Sequence, residues 1–140
     1  MKVSLLPGIR KAFAQGLFKV SGLHNFCPSP VEVMIDAPDC YEFTSHKPYV
    51  RERAFKLTQQ TLEFAAGFNA RYVVLHMGSV PMADHTSRLE AMAQAGRLND
   101  REYVRQKIRF IREREKKGPF YFQRARDALA RLADQAAEKS

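Results

Sequence analysis

Tyr72-Val73-Val74-Leu75-His76-Met77-Gly78-Ser79 is the stretch on which the fold turns. Its first four residues are β-prone and run without polar alternation, the pattern of a strand buried on both faces of a parallel sheet. Upstream, Leu17–Leu23, closed by His24, reads as a second strand, with Gly22 a weak point inside it. From Asn25 to Lys47 the chain holds Pro28, Pro30 and Pro38 and shows no helical period, and loops of that length inside a domain usually carry function. A helix is expected to start near residues 45–49. Ser45 offers an N-cap, and Pro48 falls in the first turn, where its missing N–H costs nothing. Val50, Ala54, Leu57, Leu62 and Ala65 then recur on one stripe, with Glu52, Arg53, Lys56, Gln59 and Gln60 on the wet side. Gly67 and Asn69 tolerate the left-handed backbone that ends a helix. Strand, loop, helix and strand make a βαβ unit over residues 16–80, with adjacent parallel strands and a right-handed crossover.

Outward from that unit the pattern is helical. Residues 3–14 predict a short helix interrupted near Pro7-Gly8 and form an atypical leader, 1–15. After Gly78-Ser79, Thr86–Ala95 reads as a short helix ended by Gly96. A second, capped by Asn99 or Asp100, carries Val104, Ile108 and Ile111 on one face and is broken at Gly118-Pro119. A third runs from about Phe120 to Glu138, with Phe122, Ala125, Leu129, Leu132 and Ala136 on its stripe. Together these make a helical segment over residues 84–138. Two strands alone leave unpaired neighbours on their outer sides, so the chain reads as a slice of a larger repeating βα architecture.

The 140 residues, 45% hydrophobic and 27% charged, are enough for one core and argue against wholesale disorder. No apolar run reaches the length needed to span a bilayer. Met1–Gly8 has too short an apolar core for a secretion signal, so a cytoplasmic location is the expectation. Cys27 and Cys40 allow one bridge, and reduced thiols are the simpler reading in a cytosol. The net charge of +8 favours anionic partners, but residues 101–117 hold eight Lys/Arg against three Glu. That helix offers only Tyr103 and Phe110 as aromatics, so a solvated basic face is expected there rather than a nucleic-acid groove.

His24 and His76 stand at the C-terminal ends of the two expected strands. In a βα barrel that edge is where substrate and metal sites are built, and parallel pairing would bring both imidazoles to it. Imidazole binds Zn, Mn or Fe and moves protons near neutral pH. The plainer alternative makes each a hydrogen-bonded structural residue. Gly78 and Ser79 present backbone N–H groups to a phosphate or simply form a tight turn. Asp84 and His85 follow as weaker candidates for substrate contact, a solvated loop pair being the plainer reading. His24, Cys27, Cys40 and His46 are zinc-capable but lack finger spacing. Cys27 has no evident base to activate it and reads as an inert thiol.

Leu23-His24-Asn25-Phe26-Cys27-Pro28 resembles the ending of strand two in the sugar phosphate isomerases and epimerases of the xylose isomerase-like superfamily. Val73-Val74-Leu75-His76-Met77-Gly78-Ser79-Val80 resembles the ending of their strand three. The helix between, through Arg53-Ala54 and Phe64-Ala65-Ala66-Gly67-Phe68-Asn69-Ala70, is similar to the helix joining those strands, and the likeness extends over roughly residues 16–138. The resemblance implies an α/β fold, a partial (β/α) TIM barrel forming a single domain over 1–140. In the full-length family it implies a divalent metal (Mn, Mg, Zn or Co) and isomerisation or epimerisation of a sugar or sugar phosphate. In the related apurinic endonucleases, histidines at the ends of strands two and three bind zinc, which makes His24 and His76 an incomplete candidate ligand set. The Asn-Phe-Cys-Pro ending favours the sugar branch over a zinc nuclease. The resemblance also implies that strand four and its ligands lie outside this sequence. The expectation is therefore no tight metal binding and no turnover by these residues alone, with self-association or a completing chain as partner. A non-catalytic remnant is the third reading.

Overall fold

The computed structural model describes residues 3–30 and 39–139. Pro38 and the rest of the segment 31–38, part of the long expected loop, lie outside the described residues. After a 3-10 turn at Val3–Leu5, the elements are α1 (Leu6–Ala14), β1 (Gly22–His24), α2 (Pro48–Gly67), β2 (Tyr72–Val74), α3 (His85–Gln94) and α4 (Arg101–Ala137). The fold is mixed α/β and mostly helical, with a two-stranded parallel sheet.

β1 and β2 pair in the register Gly22↔Tyr72, Leu23↔Val73 and His24↔Val74. β2 ends at Val74, one residue short of expectation, and β1 is much shorter than the expected Leu17–Leu23. The register explains the second shortfall. Carried back from Gly22, it would set Leu17 against Gly67, the last residue of α2, and Lys19 against Asn69, which has a left-handed φ of 52°. Neither partner is extended, so the ladder can reach back only to Arg71 N–H donating to Ser21 O at 3.0 Å.

α2 begins where Pro48 predicts, but its N-cap is Lys47; Ser45 does not cap the helix and instead its Oγ accepts from Lys47 N–H at 3.3 Å. Its buried residues are Ala54, Leu57, Thr58, Thr61, Phe64 and Ala65, so the stripe is rotated from the expected one and includes two threonines. Val50 and Leu62 are half-buried. α1 is not interrupted at Pro7-Gly8, because Pro7 falls in the first turn, where no N–H is required. α3 starts at His85, one residue early, with Asp84 as its N-cap, and Gly96 follows it at a left-handed φ of 72°.

The expected break at Gly118-Pro119 does not occur: α4 runs through Pro119 for 37 residues. A proline clashes with the Cβ of the residue before it, and Gly118 has none, which eases one of the obstacles to a continuous helix; the missing N–H and the carbonyl four residues back remain. The expected apolar faces of this region also shift. Ala128 and Leu132 are buried, whereas Leu129 and Phe122 are exposed, as are Val104, Ile108 and Ile111.

The chain divides into two compact units, Met1–Gly78 with Arg124–Ser140, and Ser79–Gln123. In the first, α2 has apolar neighbours on two sides. Phe26, Phe43, Ala54, Leu57, Ala128 and Leu132 form one cluster, and Cys27, Phe64 and Phe68 form another against half-buried Leu6, Ile9 and Phe13 of α1. Arg124 donates to the Ser45 carbonyl at 2.8 Å, and the Arg131 guanidinium lies 4.0 Å from the centre of the Phe55 ring. In the second unit, Met92, His85, Gln106 and Tyr121 are buried, and Arg88 pairs with Glu102 at 2.8 Å. Among the described residues no helix is long and apolar enough to cross a membrane.

Candidate functional site: two imidazoles at the sheet edge

The C-terminal edge of the sheet is held by polar groups that the apolar core does not supply. Past His24 the ladder continues by one bond, Asn25 N–H to Val74 O at 2.9 Å. The Asn25 side chain, 2% exposed, then turns into the protein. Its amide nitrogen donates to Thr58 Oγ1 at 2.8 Å, and its oxygen lies 2.9 Å from Thr61 Oγ1. Thr61 Oγ1 also accepts from Cys27 N–H at 2.9 Å. Thr58 donates back to Ala54 O at 2.8 Å, within its own helix. Thr58 and Thr61 are three residues apart on α2 and so share one face, and that face grips the turn that follows β1. A buried polar group costs free energy unless it is matched, so this set fixes the backbone directly after His24.

His24 and His76, placed at one edge by the sequence, lie in direct contact. Their Nε2 atoms are 2.9 Å apart and their ring centres 4.7 Å apart. The other nitrogens decide what this contact is. His76 Nδ1 is 2.6 Å from Asp39 Oδ1, and His24 Nδ1 is 2.9 Å from the Asn25 carbonyl oxygen. A carboxylate and a carbonyl only accept, so both Nδ1 atoms must carry the hydrogen. In the neutral rings both Nε2 atoms are then bare lone pairs pointing at each other. That is repulsive unless a proton lies between them or a metal cation binds both from off the line that joins them, since each metal–nitrogen bond is about 2.0–2.1 Å. A histidine that binds a metal through one nitrogen characteristically donates from the other to a carboxylate or backbone carbonyl, and these two rings have one of each.

The pair is accessible, with the His76 side chain 35% and Asp39 66% exposed. His24 also borders an open apolar hollow of about 430 Å³ formed with Val20, Leu23, Phe26, Phe64 and Phe68. A slightly larger hollow of about 500 Å³, lined by α2, β2 and the end of α4, contains no histidine. Among the described residues no three His, Cys, Asp or Glu side chains are grouped to hold a metal, which removes a His24, Cys27, Cys40 and His46 zinc set. Asp39 supports His76 from its far side rather than joining the pair as a third ligand.

Of the remaining candidates, Gly78, Asp84 and His85 have local structural roles. Gly78 has a φ of 125°, and a Cβ there would collide with the Thr44 side chain, so the residue must be glycine on backbone grounds alone. Ser79 begins the second unit and is exposed. Asp84 accepts from Ser87 N–H at 3.0 Å as the α3 cap, and the Ser87 side chain, followed by that N–H, holds its carboxyl below the usual range. His85 is buried rather than solvated, 2.8 Å from Glu113 Oε2, and Phe110 lies beside its ring. Burial pushes the Cys27 thiol up, which favours the inert form. Sequence reasoning missed Asp39, Asn25, Thr58 and Thr61. A Thr-x-x-Thr pair set among Leu57, Phe64 and Ala65 was the available signal. Comparison with protein-family models, with curated proteins and with solved structures matches this chain to none of them.

Proposed function

We propose that this chain is a segment of a xylose isomerase-like (β/α) barrel and that His24 and His76 are two ligands of its divalent-metal site, acting on a sugar or sugar phosphate. The observation that carries the reading is the pair of Nε2 atoms 2.9 Å apart, each ring held in place through its Nδ1. The parallel pairing of β1 and β2 through a helical crossover supports the barrel, and the location of both imidazoles at the C-terminal edge supports the site. In such a site a divalent cation would polarise a sugar carbonyl or hydroxyl. The chain's own contribution is orientation. Asp39 holds the His76 ring, the Asn25 carbonyl holds the His24 ring, and Thr58 and Thr61 fix Asn25.

The 140 residues are expected to bind zinc weakly and to turn over no sugar. Among the described residues only two protein ligands converge, against the three that a catalytic zinc keeps. Calorimetric titration with zinc should find one weak site that vanishes in His76→Ala and weakens about tenfold in Asp39→Asn, the scale of a lost supporting partner. Zinc binding unchanged in His76→Ala would refute the metal site. Robust sugar turnover abolished by the same substitution would refute the claim that this set is incomplete.

A further inference from the structure

We infer that the outer face of α4 in the second unit is a docking seam for an acidic, amphipathic helix of another protein. Val104, Ile108 and Ile111 are 48%, 42% and 44% exposed. Their spacing of four and three residues is that of a coiled-coil seam, and continuing it reaches Glu115, Gly118 and then Phe122, which is 67% exposed.

The opposite side of the helix is already used. Glu102 pairs with Arg88 at 2.8 Å and Glu113 with His85 at 2.8 Å, while Lys117 donates to the Pro81 carbonyl at 2.9 Å. At 3.6 residues per turn these three lie half a turn from the apolar seam. The second unit therefore fixes α4 by its polar side and leaves the seam outward.

Charge selects the occupant. Directly beside the seam stand Arg105 and Arg112 on one flank and Lys107 and Arg114 on the other. In helix pairs these flanking positions meet the partner's flanks and set partner choice. A second copy of this chain would bring basic residues against basic residues in either orientation, which disfavours self-pairing. The seam is also narrow, well short of the apolar arc of about 100° or more that a helix lying on an apolar surface presents. What fits is a helix with apolar residues at heptad spacing and Glu or Asp on both flanks.

The test uses the full chain and labelled synthetic peptides about three heptads long. One has Leu at the seam and Glu on the flanks, one has Lys on the flanks, and one keeps Glu but has Ser at the seam. Fluorescence anisotropy at low salt should show that the first binds and the other two do not. The doubly substituted chain Ile108→Ser/Ile111→Ser should bind the first at least about tenfold more weakly, as should Arg105→Gln/Arg112→Gln. All these positions are exposed, and circular dichroism verifies that helicity is retained. Four results would overturn the proposal: no binding of the first peptide, equal binding of the Ser-seam peptide, binding unchanged in both variants, or preferential uptake by vesicles rich in phosphatidylserine. Concentration-dependent self-association lost in the Ile variant would also overturn it, by assigning the face to a second copy.

Discussion

The sheet edge of the first unit buries polar side chains, whereas the first half of α4, in the second, exposes a row of apolar ones. Around β1, Asn25, Thr58 and Thr61 are taken out of water and matched to one another, so that the turn after His24 has one geometry. Along the first half of α4, Val104, Ile108 and Ile111 stay in water while Gln106 and His85 are buried. The difference is one of use. Buried, satisfied polar groups specify a position, and exposed apolar groups at regular spacing offer a contact. Residue class alone does not distinguish core from surface here; the element's geometry does.

The largest effect that sharpens the contrast is expected between two phenylalanines. Phe43 is 1% exposed and Phe122 is 67% exposed. Phe43→Ala should cost about 3–5 kcal/mol in denaturant unfolding. Phe122→Ala should fall within about 0.5 kcal/mol of wild type. Similar losses from both would erase the distinction between the regions.

Next in size is the polar latch. Thr61→Val is nearly isosteric but leaves the Asn25 side-chain oxygen and the Cys27 N–H without their partner, and should cost about 1–3 kcal/mol. Thr61→Ser, which keeps the hydroxyl, should lose less. If valine is tolerated as well as serine, the hydroxyl does not position the His24 turn.

A smaller effect belongs to the second unit and depends on pH. The hydrogen bond from His85, followed by that from Lys117, lowers the Glu113 carboxyl from 4.5 to about 2. A carboxylate lowered in the folded state stabilises it fully above pH 4.5, and that stabilisation is lost as pH falls through about 2. Helicity of the second unit should weaken over that window, and Glu113→Gln should flatten the dependence. An identical acid profile in the variant would show that the His85–Glu113 contact contributes nothing. The smallest change is expected for Ile108→Ser, within about 0.5 kcal/mol of wild-type stability, since its seam faces water.

Much of the sheet edge was legible in the sequence. The proline opening α2 and the two strand-end histidines carry their physics locally. The unalternated run at Tyr72 located β2 but not its burial. The strand expected to be buried on both faces leaves Tyr72 57% and Val74 43% exposed, with a neighbour on one side only among the described residues. The length of β1 was not legible, because it depends on what lies opposite: Gly67, still helical rather than left-handed as expected, and Asn69, left-handed just past α2, leave Leu17 and Lys19 without an extended partner. Nor was Asp39 legible, since it reaches His76 across 37 positions from within an irregular segment. The continuity of α4 was misjudged by counting Gly118 and Pro119 as two breakers. Gly118, read as a second breaker, instead takes away the Cβ that proline would strike. Whether an apolar helix face is core or surface is set by which side its polar partners engage, and His85–Glu113 spans 28 positions.

The central claim is that His24 and His76 both carry hydrogen on Nδ1 and aim bare Nε2 atoms at a common cation. Imidazole ¹⁵N spectra of the labelled chain, recorded during a zinc titration, test this most directly. The account predicts that both Nε2 resonances shift together at the same zinc concentration while both Nδ1 atoms remain protonated. Zinc leaving either Nε2 resonance unmoved, or an Nδ1 atom of either ring as the site of binding, would contradict it.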